Sequence, residues 1–341
     1  MAPLEFGLDT FGDITRDESG LRTGAQVIRD TLEEGILADQ VGVDYFGLGE
    51  HHRPDFAISA PEPLLGALLA RTGRIKGGTS VTVLSSDDPI RLFQRFSTLN
   101  AIAPGRAELT IGRGSFTESF PLFGYDMADY EDLFREKSNL LHRLLTEEKV
   151  SFEGRFTPKL SGVTVWPRPE APITVWRGVG GSPQSVVEAA AAGMPLMLAI
   201  IGGDPARFAP FVDLYRRTHA QIGTPVLPVG VHSLGHIAPT DAEAREEFFE
   251  GYRKMHENIG RTRGWSRLTR EAYEAEITHG ALHIGSPETV ARKIAKTVKA
   301  LGLSRFTMKY HTGAQDYRSN LRNIELYGTQ VIPRVRALLA G

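Results

Sequence analysis

Short apolar runs alternate with segments of helical periodicity along almost the whole chain. Residues 4–10 read as a first strand and residues 23–40 as an amphipathic helix. Residues 44–49 form the second strand, and the helix over 62–72 is entered through Pro61 and Pro63, where proline is tolerated. The β-branched run over 79–84 predicts strand three, and Asp88-Pro89 opens a helix to residue 101. Strand four is expected over 107–111, before a helix over 130–145. Strands five and six fall at 173–177 and 196–201, with helices over 184–192 and 205–221. Strand seven spans 229–237, with a helix over 242–259. Ser286 is an N-cap for a helix to residue 301, strand eight covers 305–310, and a helix over 318–339 closes the chain. Two stretches, 150–172 and 261–283, break the rhythm and are expected to be insertions that shape a pocket.

Eight strands, each followed by a helix, is the count of an α/β fold of the closed (β/α)8 TIM-barrel type, here one domain over residues 1–341. The rival, an open doubly wound sheet, carries Gly-x-Gly-x-x-Gly after its first strand. Here that turn reads Phe11-Gly12-Asp13-Ile14-Thr15. Charge changes the picture by exclusion. Thirty-nine Lys and Arg against 41 Asp and Glu give a net charge of −2, with no basic run, so a nucleic-acid partner is not expected. The chain has no cysteine, which removes disulfides, thiol nucleophiles and thiolate zinc. The segment Met1-Ala2-Pro3-Leu4-Glu5-Phe6 lacks the features of a secretory leader. The longest apolar run, 194–201, contains Pro195 and is too short for a bilayer. A cytoplasmic protein without membrane contact is the expectation.

In such a barrel, chemistry sits at the C-terminal ends of the strands. After strand two, Gly49-Glu50-His51-His52-Arg53 concentrates titratable groups. Histidine transfers protons near neutral pH and a neighbouring carboxylate orients it, which makes His51 and Glu50 candidate catalytic residues. The same residues also read as a polar loop with local hydrogen bonds. No spaced set of His and carboxylates accompanies them, so no metal is expected. After strand four, Arg113 stands between Gly112 and Gly114, either a bidentate partner for phosphate or a surface arginine in a turn. After strand five, Gly180-Gly181-Ser182-Pro183-Gln184-Ser185 feeds a helix N-terminus, where open N–H groups and the helix dipole favour an anion. It lacks the Gly-Lys-Ser/Thr ending of a P-loop.

Four segments, in order and spacing, resemble the bacterial luciferase-like, FMN-dependent monooxygenase family. They are Glu50-His51-His52; Gly78-Thr79-Ser80-Val81-Thr82-Val83-Leu84 with Asp88-Pro89; Gly112-Arg113-Gly114 with Phe123-Gly124-Tyr125-Asp126-Met127; and Gly180-Gly181-Ser182-Pro183-Gln184-Ser185 with Gly193-Met194-Pro195. The resemblance implies FMN at the strand ends. Ser80, Val81 and Thr82 would form the segment under the flavin ring, with a cis-peptide bulge at Ser80-Val81. Arg113 would bind the phosphate, together with Gly180, Gly181, Ser182 and Ser185. His51 would be the acid–base group, titrating near the working pH, with Glu50 as its orienter.

The implied activity is a two-component monooxygenase. A separate NAD(P)H-flavin reductase supplies reduced FMN, which with O2 oxygenates a small organic substrate. Hydride transfer with the deazaflavin F420, which would need a pocket for a longer tail, is the alternative on the same barrel. A flavin-binding protein without turnover is a third reading. A homodimer or higher homo-oligomer is also implied, with Leu64, Leu65, Leu68 and Leu69 as candidate interface or barrel-packing residues. The chain departs from luciferase in having Gly181 for a glutamate, Gly112 for a cysteine, Glu131 for a second phosphate-binding arginine, and Ser80-Val81 for two alanines.

Overall fold

The computed structural model describes residues 3–114 and 116–340. Residues 1 and 2, where the N-terminal reading begins, lie outside them. Eight parallel strands close a barrel: β1 (Glu5–Thr10), β2 (Tyr45–Leu48), β3 (Lys76–Thr79), β4 (Ala107–Gly112), β5 (Val175–Val179), β6 (Leu196–Ala199), β7 (Val229–Ile237) and β8 (Arg305–Lys309). Each pairs with the next, and β8 returns to β1 with Glu5 opposite Arg305 and Asp9 opposite Lys309.

Around the barrel lie α1 (Gly24–Gln40), α2 (Pro61–Arg71), α3 (Pro89–Ile102), α4 (Tyr130–Thr146), α5 (Pro183–Ala191) and α6 (Ala209–Ile222). They continue with α7 (Asp241–Arg263), α8 (Arg270–Thr278), α9 (Pro287–Leu301), α10 (Tyr317–Leu326) and α11 (Ile332–Ala340). Their starts follow the caps in the sequence. Thr23 and Gln26 make a reciprocal capping box, the Asp88 carboxylate accepts from the Ile90 and Arg91 N–H groups, and Ser286 caps α9.

The main core lies between strands and helices. Phe6, Leu8, Phe46, Leu48, Leu109 and Ile111 pack there with the apolar faces of the surrounding helices. Leu65, Leu68 and Leu69 are buried in this layer, and Leu64 is half-buried. Three of the four candidate interface leucines therefore pack within the chain.

Strand three differs from its expected position. β3 runs over Lys76–Thr79, and Thr82–Val83 is a separate short strand on β4. The β-branched run misplaces it because β3 contains Gly77-Gly78, residues of weak strand propensity. The close approach of β4 requires glycine at 78, since a Cβ there would lie 2.4 Å from the Glu108 carbonyl oxygen.

The two insertions also differ from each other. Residues 150–172 contain an antiparallel pair, Val150–Phe152 with Leu160–Val163, and lie against α3 and α4. The Asn100 side chain accepts from the Glu170 and Ala171 N–H groups, and Arg168 donates to the Leu144 carbonyl. The second stretch contains the helix α8 and a strand, His283–Gly285, which extends the sheet beside the end of β7. With α7 it encloses a separate apolar cluster around Phe248, Tyr252, Tyr273 and Ile277. Lys293 of α9 donates to the Ile277 and Leu282 carbonyls at the end of α8, where a cation suits the helix dipole. The closing helix, expected as one, is interrupted by a π turn at Tyr327–Val331. No helix among the described residues is long and apolar enough to cross a membrane.

Candidate active site

A cavity of about 460 Å³ opens at the C-terminal ends of the strands. Glu50, His51, Ser80 and Val81 line it, as do Arg113, Gly180 and Ser185. Three expected residues do not line it. Thr82 is buried, Gly181 is exposed, and Ser182 spends its hydroxyl on capping α5, accepting from the Ser185 N–H.

The anion end is built from β4 and the start of α5. The Arg113 guanidinium approaches Ser185, with Nη2 3.4 Å from Oγ, and is ion-paired with the exposed Glu131 carboxylate. A Cβ added at Gly180 or Gly181 would meet nothing within 4 Å, so the backbone here has an open face. The Arg113 guanidinium and the Ser185 hydroxyl, at the start of α5, are the groups that could hold a phosphate dianion here.

The Ser80-Val81 peptide is cis, at the bulge where the resemblance places it. The Val81 side chain points at two glycines. A Cβ at Gly112 would lie 2.7 Å from Val81 Cγ2, and one at Gly178 would lie 3.2 Å from Cγ1. Two departures from luciferase thus compensate each other. The larger Val81 fits because the neighbouring strand has no side chain at 112.

His51 sits among three aromatic rings, with centroids of Phe56, Phe11 and Phe116 at 4.6, 4.7 and 4.9 Å. Burial pushes its pKa down to about 4, so the ring is neutral at physiological pH. The expectation of an imidazole titrating near the working pH is corrected accordingly. Glu50 does not orient His51 either. Its Oε1 is 2.9 Å from His52 Nε2, and its Oε2 accepts from the Val83 N–H at 3.0 Å. In an extended segment, residues two apart share a side, so Glu50 faces His52 and not its neighbour. That hydrogen bond raises the His52 pKa.

Sequence reasoning missed four polar residues of the cavity region. Asp13 and Lys309 form a buried ion pair at 2.6 Å. Asp9 accepts from His232 Nδ1 at 2.6 Å, across a gap of 223 residues. The available signal was a titratable residue within a buried strand, which both Asp9 and His232 are. The reading also missed the wall supplied by α7: Tyr252, Met255, His256 and Ile259; Trp265, which follows it, belongs to the second insertion. Of the two insertions, only the second reaches the cavity; none of residues 150–172 lines it. Among the described residues, no group of three or more His, Asp or Glu is gathered in a way that could hold a metal ion.

Fold and site together define a (β/α)8 barrel with Arg113 beside an open helix start and a largely apolar, aromatic-lined cavity at its mouth. The chain belongs to the luciferase-like monooxygenase family, whose model matches residues 10–305. It is similar in structure to the monooxygenase RslO1 from Streptomyces bottropensis, with a TM-score of 0.81 and 23% identity, covering 97% of this chain and 99% of that one. It is also similar to the oxygenating constituent of 3,6-diketocamphane monooxygenase from Pseudomonas putida, solved with FMN, at a TM-score of 0.76 and 21% identity over 97% and 98%. In sequence it is 28% identical to an F420-dependent glucose-6-phosphate dehydrogenase of Kineococcus radiotolerans over 346 residues, covering 93% of this chain and 97% of the relative. The structural likenesses establish the fold; the similar proteins divide between FMN and F420.

Proposed function

We propose that the protein is an FMN-dependent oxidoreductase acting on a small, largely apolar organic substrate. In this reading it is the oxygenating component of a two-component monooxygenase fed by a separate NAD(P)H-flavin reductase. The observation that carries it is Arg113 set against Ser185 and the open start of α5, at one end of a cavity whose other walls are mostly apolar and aromatic. That end takes one monophosphate. Ser80 and Val81 would lie beside the flavin ring, which when bound supplies the reaction with O2. The chain's own part is to hold the phosphate, exclude water behind the rings around His51, and offer its neutral imidazole as a hydrogen-bonding group.

The similar glucose-6-phosphate dehydrogenases favour F420 as a second reading. Their named substrate carries a phosphate and several hydroxyls, which require polar partners. Here the cavity wall includes the apolar Leu234, Met255, Ile259 and Trp265 beside the polar Tyr252, His256 and Thr312, and Lys309 in the same wall is already paired with Asp13.

Titration with oxidised FMN and with F420 tests the choice. FMN is expected to bind the tighter of the two. Arg113→Ala should weaken FMN by about 1.5–3 kcal/mol, the range for a hydrogen bond to a charged group. Tighter binding of F420 would overturn the choice of cofactor, and unchanged FMN affinity in the variant would remove Arg113 from the site. Oxygen consumption with an added flavin reductase then tests the two-component scheme.

A further inference from the structure

Two histidines line the same cavity in different surroundings. His51 is walled by rings, and its Nδ1 comes no nearer than 3.9 Å to the Glu118 carboxylate. His232, on β7, has Nδ1 bound to Asp9 Oδ2, and Asp9 is fully buried. The other oxygen of Asp9 has no hydrogen-bond partner among the described residues. A buried carboxylate is costly unless cations or several N–H groups compensate it. Asp13 meets that requirement, with the Lys309 ammonium and the Gly313 N–H. Asp9 has an imidazole alone.

That arrangement is poor at stabilising a fold and good at orienting a ring. A carboxylate only accepts, so Nδ1 carries the proton and Nε2 the lone pair. Phe11 lies nearly parallel to His232, 6.2 Å away and inclined by 11°, and helps hold its plane. The Lys309 ammonium sits over Phe11 and is tied to Asp13. Among the described residues, Nε2 of His232 has no hydrogen-bond partner, and His232 is part of the cavity wall.

We propose that His232, positioned by Asp9, is the general base of this cavity, and that its substrate is an aromatic hydroxyl compound whose O–H is directed at Nε2. The inference rests on the reading above only in taking the cavity as the substrate site. A phenol suits it on two grounds. The walls are aromatic and apolar, and a phenol, with a pKa near ~10 as in tyrosine, is within reach of an imidazole as base. In the step, the phenolic O–H bond breaks, its electron pair stays on oxygen, and the proton bonds to Nε2. The imidazolium formed faces the Asp9 carboxylate. No oxidant or reductant takes part, and the phenolate left behind is the electron-rich form that later oxidation requires.

The test uses 4-nitrophenol, whose ionised form absorbs in the visible, titrated into the FMN-loaded full chain at a mildly acidic pH where the free probe is neutral. Binding is expected to raise the phenolate band in the wild type and in His51→Gln. His232→Gln and Asp9→Asn should bind the probe with at least a tenfold smaller ionised fraction. Turnover of a phenolic substrate in both should fall about 10²–10³-fold with KM nearly unchanged. Survival of the band in His232→Gln, its loss in His51→Gln alone, or failure of the probe to bind a protein that does bind FMN would overturn the proposal. Should Asp9→Asn fail to fold, His232→Gln decides alone. Should FMN itself not bind, the cofactor reading fails, and the same titration of the flavin-free chain still decides the role of His232.

Discussion

At the closed end of the barrel, Arg305 donates to both Glu5 and Glu108, Lys76 binds the same two carboxylates, and the Trp176 indole N–H reaches Glu108 at 3.1 Å. The Arg305 guanidinium also lies over the rings of Tyr45 and Trp176. At the mouth, Asp9 keeps one unpartnered oxygen, and the hydroxyls of Thr82 and Ser85 and one nitrogen of His311 are buried without partners among the described residues. Both ends place charge inside the same strands. One end pairs its buried charges with one another; the other leaves several buried polar atoms without partners among the described residues. The closed end thereby fixes the barrel's geometry, and the mouth gives up part of that internal satisfaction.

Removing Arg305 attacks this contrast most directly. Arg305→Met leaves Glu5 and Glu108 with Lys76 and the Trp176 indole N–H and should cost about 3–5 kcal/mol, the range for breaking a buried ion pair. Denaturant unfolding measures the loss. FMN affinity of the folded protein should stay within a few-fold, because Arg305 is remote from Arg113. A large loss of affinity at unchanged stability would mean that the two ends are not separate.

Acid sharpens the contrast next. Burial lowers His51 to about 4 and His283 and His311 to about 3, from an ordinary value of 6.5. Below pH 6.5 the unfolded chain binds protons that the folded chain refuses, so stability falls as pH drops towards 4. His51 alone would contribute about 3 kcal/mol across that window, at 1.36 kcal/mol per pH unit. Burial has the reverse effect on Glu34, pushed up to about 7 from 4.5: between those values the folded chain holds a proton that the unfolded chain lacks, and stability gains as pH falls through that range. Three histidines outweigh one carboxyl. Thermal melts between pH 7 and 4.5 should therefore show falling stability, with a shallower fall in His51→Phe. A flat profile would show that the rings around His51 do not exclude water.

The barrel, its strand order and the approach of Arg113 to the start of α5 were legible because each leaves a local mark: a β-branched run, a Ser or Asp cap, a glycine turn before a helix. Arg113 and the Gly180–Ser185 loop sit one strand apart in any eight-stranded barrel, so naming the fold brings them together. Pairings between distant strands leave no such mark. Asp9 and His232 meet only because β8 separates β1 from β7 by one strand, which no local pattern states. Glu50 was assigned to His51 by adjacency, although alternation along an extended segment points it at His52.

The packing of Val81 against Gly112 yields a smaller effect. Gly112→Ala puts a methyl 2.7 Å from Val81 Cγ2 and should destabilise the mouth by roughly 1–3 kcal/mol, as overpacking does. Val81→Ala in the same chain should recover most of that loss. A double-mutant cycle on unfolding and on FMN affinity reads the coupling. Additive effects would show that the two positions do not compensate.

The smallest effect concerns Glu131, whose carboxylate is paired with Arg113 although its side chain is 62% exposed. An exposed ion pair adds about 0–1 kcal/mol to stability, so Glu131→Gln should hardly move the melting temperature. Its effect on binding has the opposite sign to that of Arg113→Ala. Glu131 occupies the guanidinium that a phosphate must take over, and its charge repels the dianion. Neutralising it should tighten FMN by about 0.5–1 kcal/mol, a few-fold in Kd, and the gain should shrink as salt screens the repulsion. FMN titrations at low and high ionic strength measure both. Weaker binding in Glu131→Gln would mean that the carboxylate positions Arg113 instead of competing for it, and the mouth would then share the closed end's habit of satisfying its charges internally.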